Sequence, residues 1–434
     1  MKKRIVLTTF GSLGDLHPYI AVALGLQVRG HEAVIATSGC YRQKIEALGI
    51  GFRALRPDFP DLNADPDVMR RIMDQRKGSD YVIRELMMPV LRDSYEDTLA
   101  AAEGADILVS HMLTFTTRLV AEKKGIPWAS TILQPFCFLS AYDPPVLAPA
   151  PILAKLRFLG PTFHRLLHSL GKWTIRSWSE PCHRLRAEIG LPPTSANPLI
   201  EGQHSPSLVL AMFSKLLGDK QPDWPRQTVI TGFPLYDQDG EAGMHAELVR
   251  FLEAGPPPLV FTLGSSAVAD AGSFYHHSAT AAKLLGRRAV LLIGKDARNR
   301  PASLPGGIVA FDYAPYSELF PRAAAIVHQG GVGTTAQAMR SGRPMLVMPY
   351  SHDQPDNAQR LTRLGIARSI SRHRYNPARA AAELAHLLNN PAYSQRASEI
   401  GEQVRQEDGV RAACDALEAM LQTSETSGRI GAKT

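Results

Sequence analysis

The chain has 434 residues, 44% hydrophobic and 21% charged, with a net charge of +7. That length excludes one comfortable core and sets an expectation of two domains, and the composition excludes a disordered or fibrous chain. No apolar run reaches the roughly 18 residues a bilayer span needs, and the four cysteines, Cys40, Cys137, Cys182 and Cys414, are scattered without a CxxC, which fits thiols in a reducing compartment. The basic balance suits an anionic partner, and equally suits an ordinary, mildly basic enzyme.

In chain order, the basic start MKKRIVLTTFGSLGD breaks at glycine too soon for a signal peptide and reads as a buried strand, Arg4 to Thr9. Tyr19 to Arg29 reads as a helix with Ile20, Leu24 and Val28 on one face. A strand Glu32–Thr37, a helix Tyr41–Leu48 and a helical stretch over 67–102 follow. Then come strand 107–109, helix Thr116–Lys124 and strand Pro127–Thr131. This alternation predicts right-handed βαβ units and a parallel sheet. DPPVLAPAP over 143–151 reads as a loop. The segment 152–190 is helical and basic. It carries Lys155, Arg157, Arg165, Lys172, Arg176, Arg184 and Arg186 against Glu180 and Glu188, among Leu156, Phe158, Phe163, Leu166, Leu167, Trp173 and Trp178. It reads as a solvated face over a buried stripe, with a membrane-surface role as the alternative.

Pro256–Pro258 marks a linker. Strands then follow at Leu259–Leu263, Ala289–Ile293, Ile308–Phe311, Ala325–His328 and Pro344–Met348. Helices are expected at Ser273–Leu285, Thr334–Ser341 and Gln354–Leu364, with more to Leu421 and a disordered tail, TSETSGRIGAKT. The fold class is therefore α/β with two Rossmann-like lobes. The boundaries are 1–240, a linker 241–257, 258–405, a helix 406–422 packing back on the first lobe, and a tail 423–434.

The strongest chemical signal is VHQGGVGTT, Val327 to Thr335. A strand runs into Gly330, Gly331 and Gly333 and then a helix, so unpaired amides and the macrodipole make an anion pocket suited to a diphosphate. His328 adds a donor; a tight turn that merely needs glycines is the competing reading. After the next strand stand Asp353 and Gln354, a carboxylate and an amide suited to sugar hydroxyls, or a helix cap. Ser265 and Ser266, in FTLGSSAV, would reach a phosphate from the other side. Tyr313 would stack on a base or fill the core. Asp15, in GSLGDLHPYI, lacks the dinucleotide fingerprint and reads as a helix cap or a proton acceptor. No zinc-type spacing and no GxSxG elbow is present.

Together, Gly-Ser-x-Gly-Asp-x-x-Pro at 11–18 and His-x-Gly-Gly-x-Gly-Thr…Asp-Gln-x-x-Asn-Ala at 328–358 resemble the family 1 nucleotide-sugar glycosyltransferases of the GT-B fold. The bacterial rhamnosyltransferase and sterol glucosyltransferase branches are the nearest likeness, over about residues 3–420. The resemblance implies a metal-independent, inverting transfer of rhamnose or glucose from a UDP- or dTDP-sugar, used as co-substrate with no cofactor. The acceptor is a hydroxyl on a lipophilic small molecule, such as a hydroxyacyl lipid or flavonoid. It implies Asp15 as base, and Ser265, Ser266, His328, Gly330, Gly331, Gly333 and Thr334 on the diphosphate. Asp353 and Gln354 would hold the sugar, and Tyr313 and Gln337 the nucleoside. Gln337 departs from the glutamate of many relatives. Phe10, His111, Met112, Phe136, Phe138 and Leu139 would wall the acceptor site. The expected partners exclude nucleic acid. The expected location is cytoplasmic, peripheral at the inner membrane face through 152–190. A nucleotide-sugar epimerase of the same fold and a non-catalytic helper subunit are the alternatives.

Overall fold

The computed structural model describes residues 2–58, 65–236 and 243–431. Seven parallel strands make the first sheet: β1 (Arg4–Thr8), β2 (Glu32–Thr37), β3 (Gly51–Ala54), β4 (Ile107–Ser110), β5 (Trp128–Ile132), β6 (Leu208–Ala211) and β7 (Thr228–Ile230). Their spatial order is β3-β2-β1-β4-β5-β6-β7. Six more make the second: β8 (Leu259–Thr262), β9 (Ala289–Leu292), β10 (Ile308–Phe311), β11 (Ala325–His328), β12 (Met345–Val347) and β13 (Ala367–Ser369), in the order β10-β9-β8-β11-β12-β13. Runs such as Ile-Leu-Val and Val-Phe are buried on both faces, as parallel sheets under helices require.

Both sheets are doubly wound, so each has one point where the chain direction of the winding reverses. In the first it lies between β1 and β4, paired Thr8 to Ser110. In the second it lies between β8 and β11, paired Val327 to Phe261. The loops leaving the carboxyl ends of strands at such a point diverge and leave a crevice. Asp15 follows β1, His111 follows β4, Ser265 follows β8 and His328 ends β11.

Several expectations are corrected. The first helix is Leu13–Val28, not Tyr19–Arg29, because Ser12 and Asp15 close a capping box that starts it six residues earlier. Pro18 therefore lies inside the helix. Val28 is exposed and does not share the buried face of Ile20. Strands β3, β6, β7 and β13 were not expected: the last two are only three residues long, and β6, although it carries the apolar run Leu-Val-Leu-Ala, follows a long irregular stretch rather than a helix. The linker region holds a helix, Ala246–Glu253, which buries Leu248 and Leu252; residues 237–242 lie outside the described residues. The last helix runs Gly409–Gly431, through most of the segment read as a disordered tail, and residues 432–434 lie outside the described residues.

The lobes exchange segments. The C-terminal helix packs on the first lobe, where Ala413, Cys414, Leu417 and Leu421 join the core of Ile20, Ala23 and Leu26. The helices touch at Gly25, where a Cβ would strike Val410 and Cys414, so only glycine allows this spacing. In return Met69 and Met73, from early in the chain, bury into the second lobe beside Phe274 and Tyr350.

Candidate functional site

The two switch points face each other. The helix Leu13–Val28 and the helix Val332–Ser341 meet N-terminus to N-terminus: a Cβ on Gly333 would stand 3.6 Å from the Cα of Gly14. Two positive dipole ends converging on one spot make a stronger anion site than either alone.

On the second lobe, Gly330 has φ +91°, and a Cβ there would press on Val347 and the Gln354 carbonyl. Only glycine lets the chain turn this sharply between β11 and its helix. His328 is fully buried, and burial drives its pKa down to about 3, so the ring is neutral. Its Nδ1 accepts from the Gly330 N–H at 3.1 Å, which leaves the proton on Nε2. That Nε2 is buried without a partner. Thr334 is buried on the first turn of the helix, and Ser265 and Ser266 are half-buried in the short helix Gly264–Ala267 opposite.

Asp353 sits at the N-cap position of helix Gln354–Arg363 but makes no capping bond there. Its Oδ2 instead accepts from Asn357 Nδ2 at 2.7 Å, and the same amide donates to Gly330 O at 2.9 Å. Asn357 thus ties the carboxylate to the glycine turn. Burial, and next the charge of Asp15, raise Asp353 to about 7. Gln354 spends its Oε1 on the Tyr350 N–H at 2.9 Å, which leaves its amide N–H groups for a ligand.

On the first lobe, Asp15 Oδ2 accepts from Ser12 N at 2.8 Å and from Ser12 Oγ at 3.2 Å. The cap reading is therefore correct as far as this oxygen goes. Oδ1 lies 3.6 Å from Nε2 of His111. Burial outweighs the Ser12 bonds and holds the carboxyl up at about 6. His111 is buried, its Nδ1 accepts from Leu113 N at 3.4 Å, and its Nε2 has no other partner.

Of the residues expected to wall the acceptor site, Met112, Phe136 and Leu139 are half-buried. Phe10 is buried. Two are corrected. His111 is buried and turns its Nε2 toward Asp15. Phe138 is core: its ring stacks on Trp224 at 3.9 Å between centroids and lies against His204 and Phe213. Tyr313 is exposed, and Gln337 is buried on the glycine-loop helix. Sequence reasoning passed over Gln329, whose amide lies against both Gly264 and Gly331 and whose Oε1 is buried without a partner. It also passed over the role of Asn357. Both stand inside the motifs quoted above, where closeness in sequence to His328 and Asp353 was the available signal. Among the described residues, no group of three or more histidine, cysteine or acidic side chains is arranged to hold a metal ion.

Comparison with known proteins gives concordant findings. Residues 5–141 match the glycosyltransferase family 28 N-terminal domain, and residues 281–420 match the erythromycin biosynthesis protein CIII-like C-terminal domain. The chain is 33% identical to the O-mycaminosyltylonolide 6-deoxyallosyltransferase of Streptomyces fradiae, over 98% of this chain and 99% of that one. It is 27% identical to the sterol 3-beta-glucosyltransferase of Candida albicans over 97% of its own length, and spans only 28% of that longer protein. Among solved structures, a glycosyltransferase of kitacinnamycin superposes with a TM-score of 0.70 at 23% identity, covering 97% of this chain and 100% of the other. The spinosyn rhamnosyltransferase, solved with thymidine diphosphate, superposes with a TM-score of 0.67 at 17% identity, covering 96% and 100%. At those identities the superpositions establish the fold.

Proposed function

The chain belongs to the family 1 nucleotide-sugar glycosyltransferases of the GT-B fold, and from that premise we propose an inverting, metal-independent transfer of a hexose, rhamnose or glucose, from a UDP- or dTDP-sugar to a hydroxyl of a lipophilic small molecule. The donor diphosphate lies between the facing helix N-termini, against Gly330, Gly331, Gly333 and Thr334, with Ser265 and Ser266 opposite. The His328 Nε2–H donates to it. Asp353 and the Gln354 amide take the sugar hydroxyls, and Tyr313 and Gln337 flank the nucleoside. Met112, Phe136 and Leu139 receive the acceptor.

Asp15 accepts the proton of the acceptor hydroxyl as its oxygen bonds to the anomeric carbon from the face opposite the diphosphate. The bond from that carbon to the phosphate oxygen breaks, and its electron pair leaves with the diphosphate. The helix amides and the His328 N–H meet that charge as it grows, so no metal is assigned a role. The neutral state of His328 suits this: it donates one hydrogen bond at any pH above its lowered pKa.

A single observation carries the reading. A carboxyl held near 6 stands at the mouth of one lobe, beside the paired-helix anion site and opposite a half-buried carboxyl from the other lobe that feels its charge. A helper subunit would have no use for that arrangement. The thymidine diphosphate in the spinosyn rhamnosyltransferase, and the hydrophobic acceptors named for the macrolide and sterol relatives, lend support for the donor and acceptor classes.

Asp15→Asn tests it. Asparagine keeps an oxygen for the Ser12 N–H, so the helix cap survives, but it accepts no proton. Turnover should fall by about 10² or more, while the thermal shift given by UDP- and dTDP-sugars is unchanged. Full turnover in this variant would leave Asp15 as a cap alone. Donor consumed without acceptor would mark an epimerase instead.

A further inference from the structure

Among the described residues, eleven large apolar side chains are strongly exposed, and six of them crowd into 22 residues: Ile152, Phe158, Leu159, Leu166, Leu170 and Trp173. The buried stripe expected for this segment forms in its second part, where Ser179, Cys182 and Leu185 are buried, while the first part leaves most of its apolar side chains outside. In helix Gly160–Thr174 only His164 is buried. Leu166, Leu170 and Trp173, spaced i, i+4 and i+7, form one outward row, 71%, 58% and 71% exposed. Nothing in helix propensity demands an exposed apolar row, and a patch of this kind marks a contact surface.

The row ends in a groove of about 670 Å³, where Trp173 and Trp178 stand with Arg84, Arg176 and Arg184 around a single acid, Glu180. Arg84 and Arg184 each have one helical partner, Asp80 at 3.2 Å and Glu180 at 4.0 Å, surface pairs too weak to hold them against a stronger anion. Over 152–190 seven basic residues face two acidic ones, so this segment carries most of the chain's +7.

We propose that this face docks on an anionic bilayer surface, with Leu166, Leu170 and Trp173 entering the headgroup boundary and Arg84, Arg176 and Arg184 meeting lipid phosphates. The core of a protein–protein patch is depleted in charge; here cations stand beside the apolar row, the arrangement of an interfacial helix, where tryptophan and arginine each suit the headgroup layer. No described helix is long and apolar enough to cross a membrane, so the contact is with the surface only. The face is also wired to the cleft. Asp143 pairs with Arg157 of this segment on one side, and with Arg360 and Arg363, on the helix that begins at Gln354, on the other. A docked face would bring a membrane-dissolved acceptor to the acceptor lobe.

The test is co-sedimentation with vesicles of phosphatidylcholine, alone or with about 30% phosphatidylglycerol. The native protein should pellet with the anionic vesicles only, and should be released by salt at about 0.5 M. Leu166→Ser/Leu170→Ser/Trp173→Ser should cut the bound fraction roughly tenfold, and Arg176→Glu/Arg184→Glu should do the same. Both variants should keep the native melting temperature and turnover on a soluble acceptor, because all five side chains are exposed or line an open groove. Asp15→Asn should still bind vesicles, so the docking and the transfer reading fail independently. Absence of binding, or equal binding to neutral vesicles, overturns the proposal. So does a native dimer that the triple variant splits, which would make the face an interface between copies of the chain.

Discussion

Asp15 uses its two oxygens differently: Oδ2 closes the capping box with Ser12, and Oδ1 faces the buried Nε2 of His111. Because Nδ1 of that ring accepts from Leu113, Nε2 carries the hydrogen, and its N–H dipole stands 3.6 Å from Oδ1, short of a hydrogen bond. The other ionisable groups around the pair are Tyr19, edge-on to His111, Cys137 on the same lobe, and Asp353 across the cleft. Removing the N–H should raise the Asp15 pKa, so in His111→Phe the acid limb of kcat/KM, expected near pH 6, should move up by about half a unit or more. His111→Gln, which restores a donor, should bring it back. A packing role alone would lower turnover without moving the limb. Asp353 carries a different signature. Its folded pKa, about 7, lies above the ordinary carboxylate value, so between pH 4 and 7 the unfolded chain loses this proton first and the native state weakens as pH rises. Asp353→Asn should therefore raise the melting temperature at pH 8, by on the order of 1–2 kcal/mol of stability. The gain should vanish near pH 4, and the sugar-dependent part of the donor's thermal shift should be lost.

At the scale of elements, the sequence was readable where periodicity and punctuation agreed. The run Ile-Val-Leu before Gly11 and the run Ala-Ile-Val-His before Gly330 declare strands that enter ligand loops, and both do so. The glycine loop and the Asp353-Gln354 turn follow neighbouring strands, so their closeness was readable too. What escaped were short strands: β7 and β13 present three residues each and owe their pairing to neighbours already in the sheet. Start signals also misled. The helix was read from Tyr19, yet the reciprocal bonds of Ser12 and Asp15 fixed its start at Leu13. The approach of His111 to Asp15 was out of reach, since it depends on β1 and β4 lying side by side, a pairing of residues about a hundred positions apart. Phe138 shows the opposite limit: its ring stacks on Trp224, a contact between residues 86 positions apart that no local pattern announces.

At the scale of the whole molecule, each lobe is finished by a piece of the other half of the chain. Arg29 and His31 reach Glu418, and Cys414 Sγ reaches the Val22 carbonyl. A chain cut after residue 405 should thus lose the cover of the first helix. We expect it to accumulate in the insoluble fraction, and soluble expression at native yield would contradict this. The same cross-bracing sets a clock on synthesis. Val22 and Cys414 are 392 positions apart, so at about 5–20 residues per second the ribosome takes roughly 20–80 s to supply the partner of the first helix. Throughout that wait the nascent amino-terminal lobe carries an uncovered apolar seam.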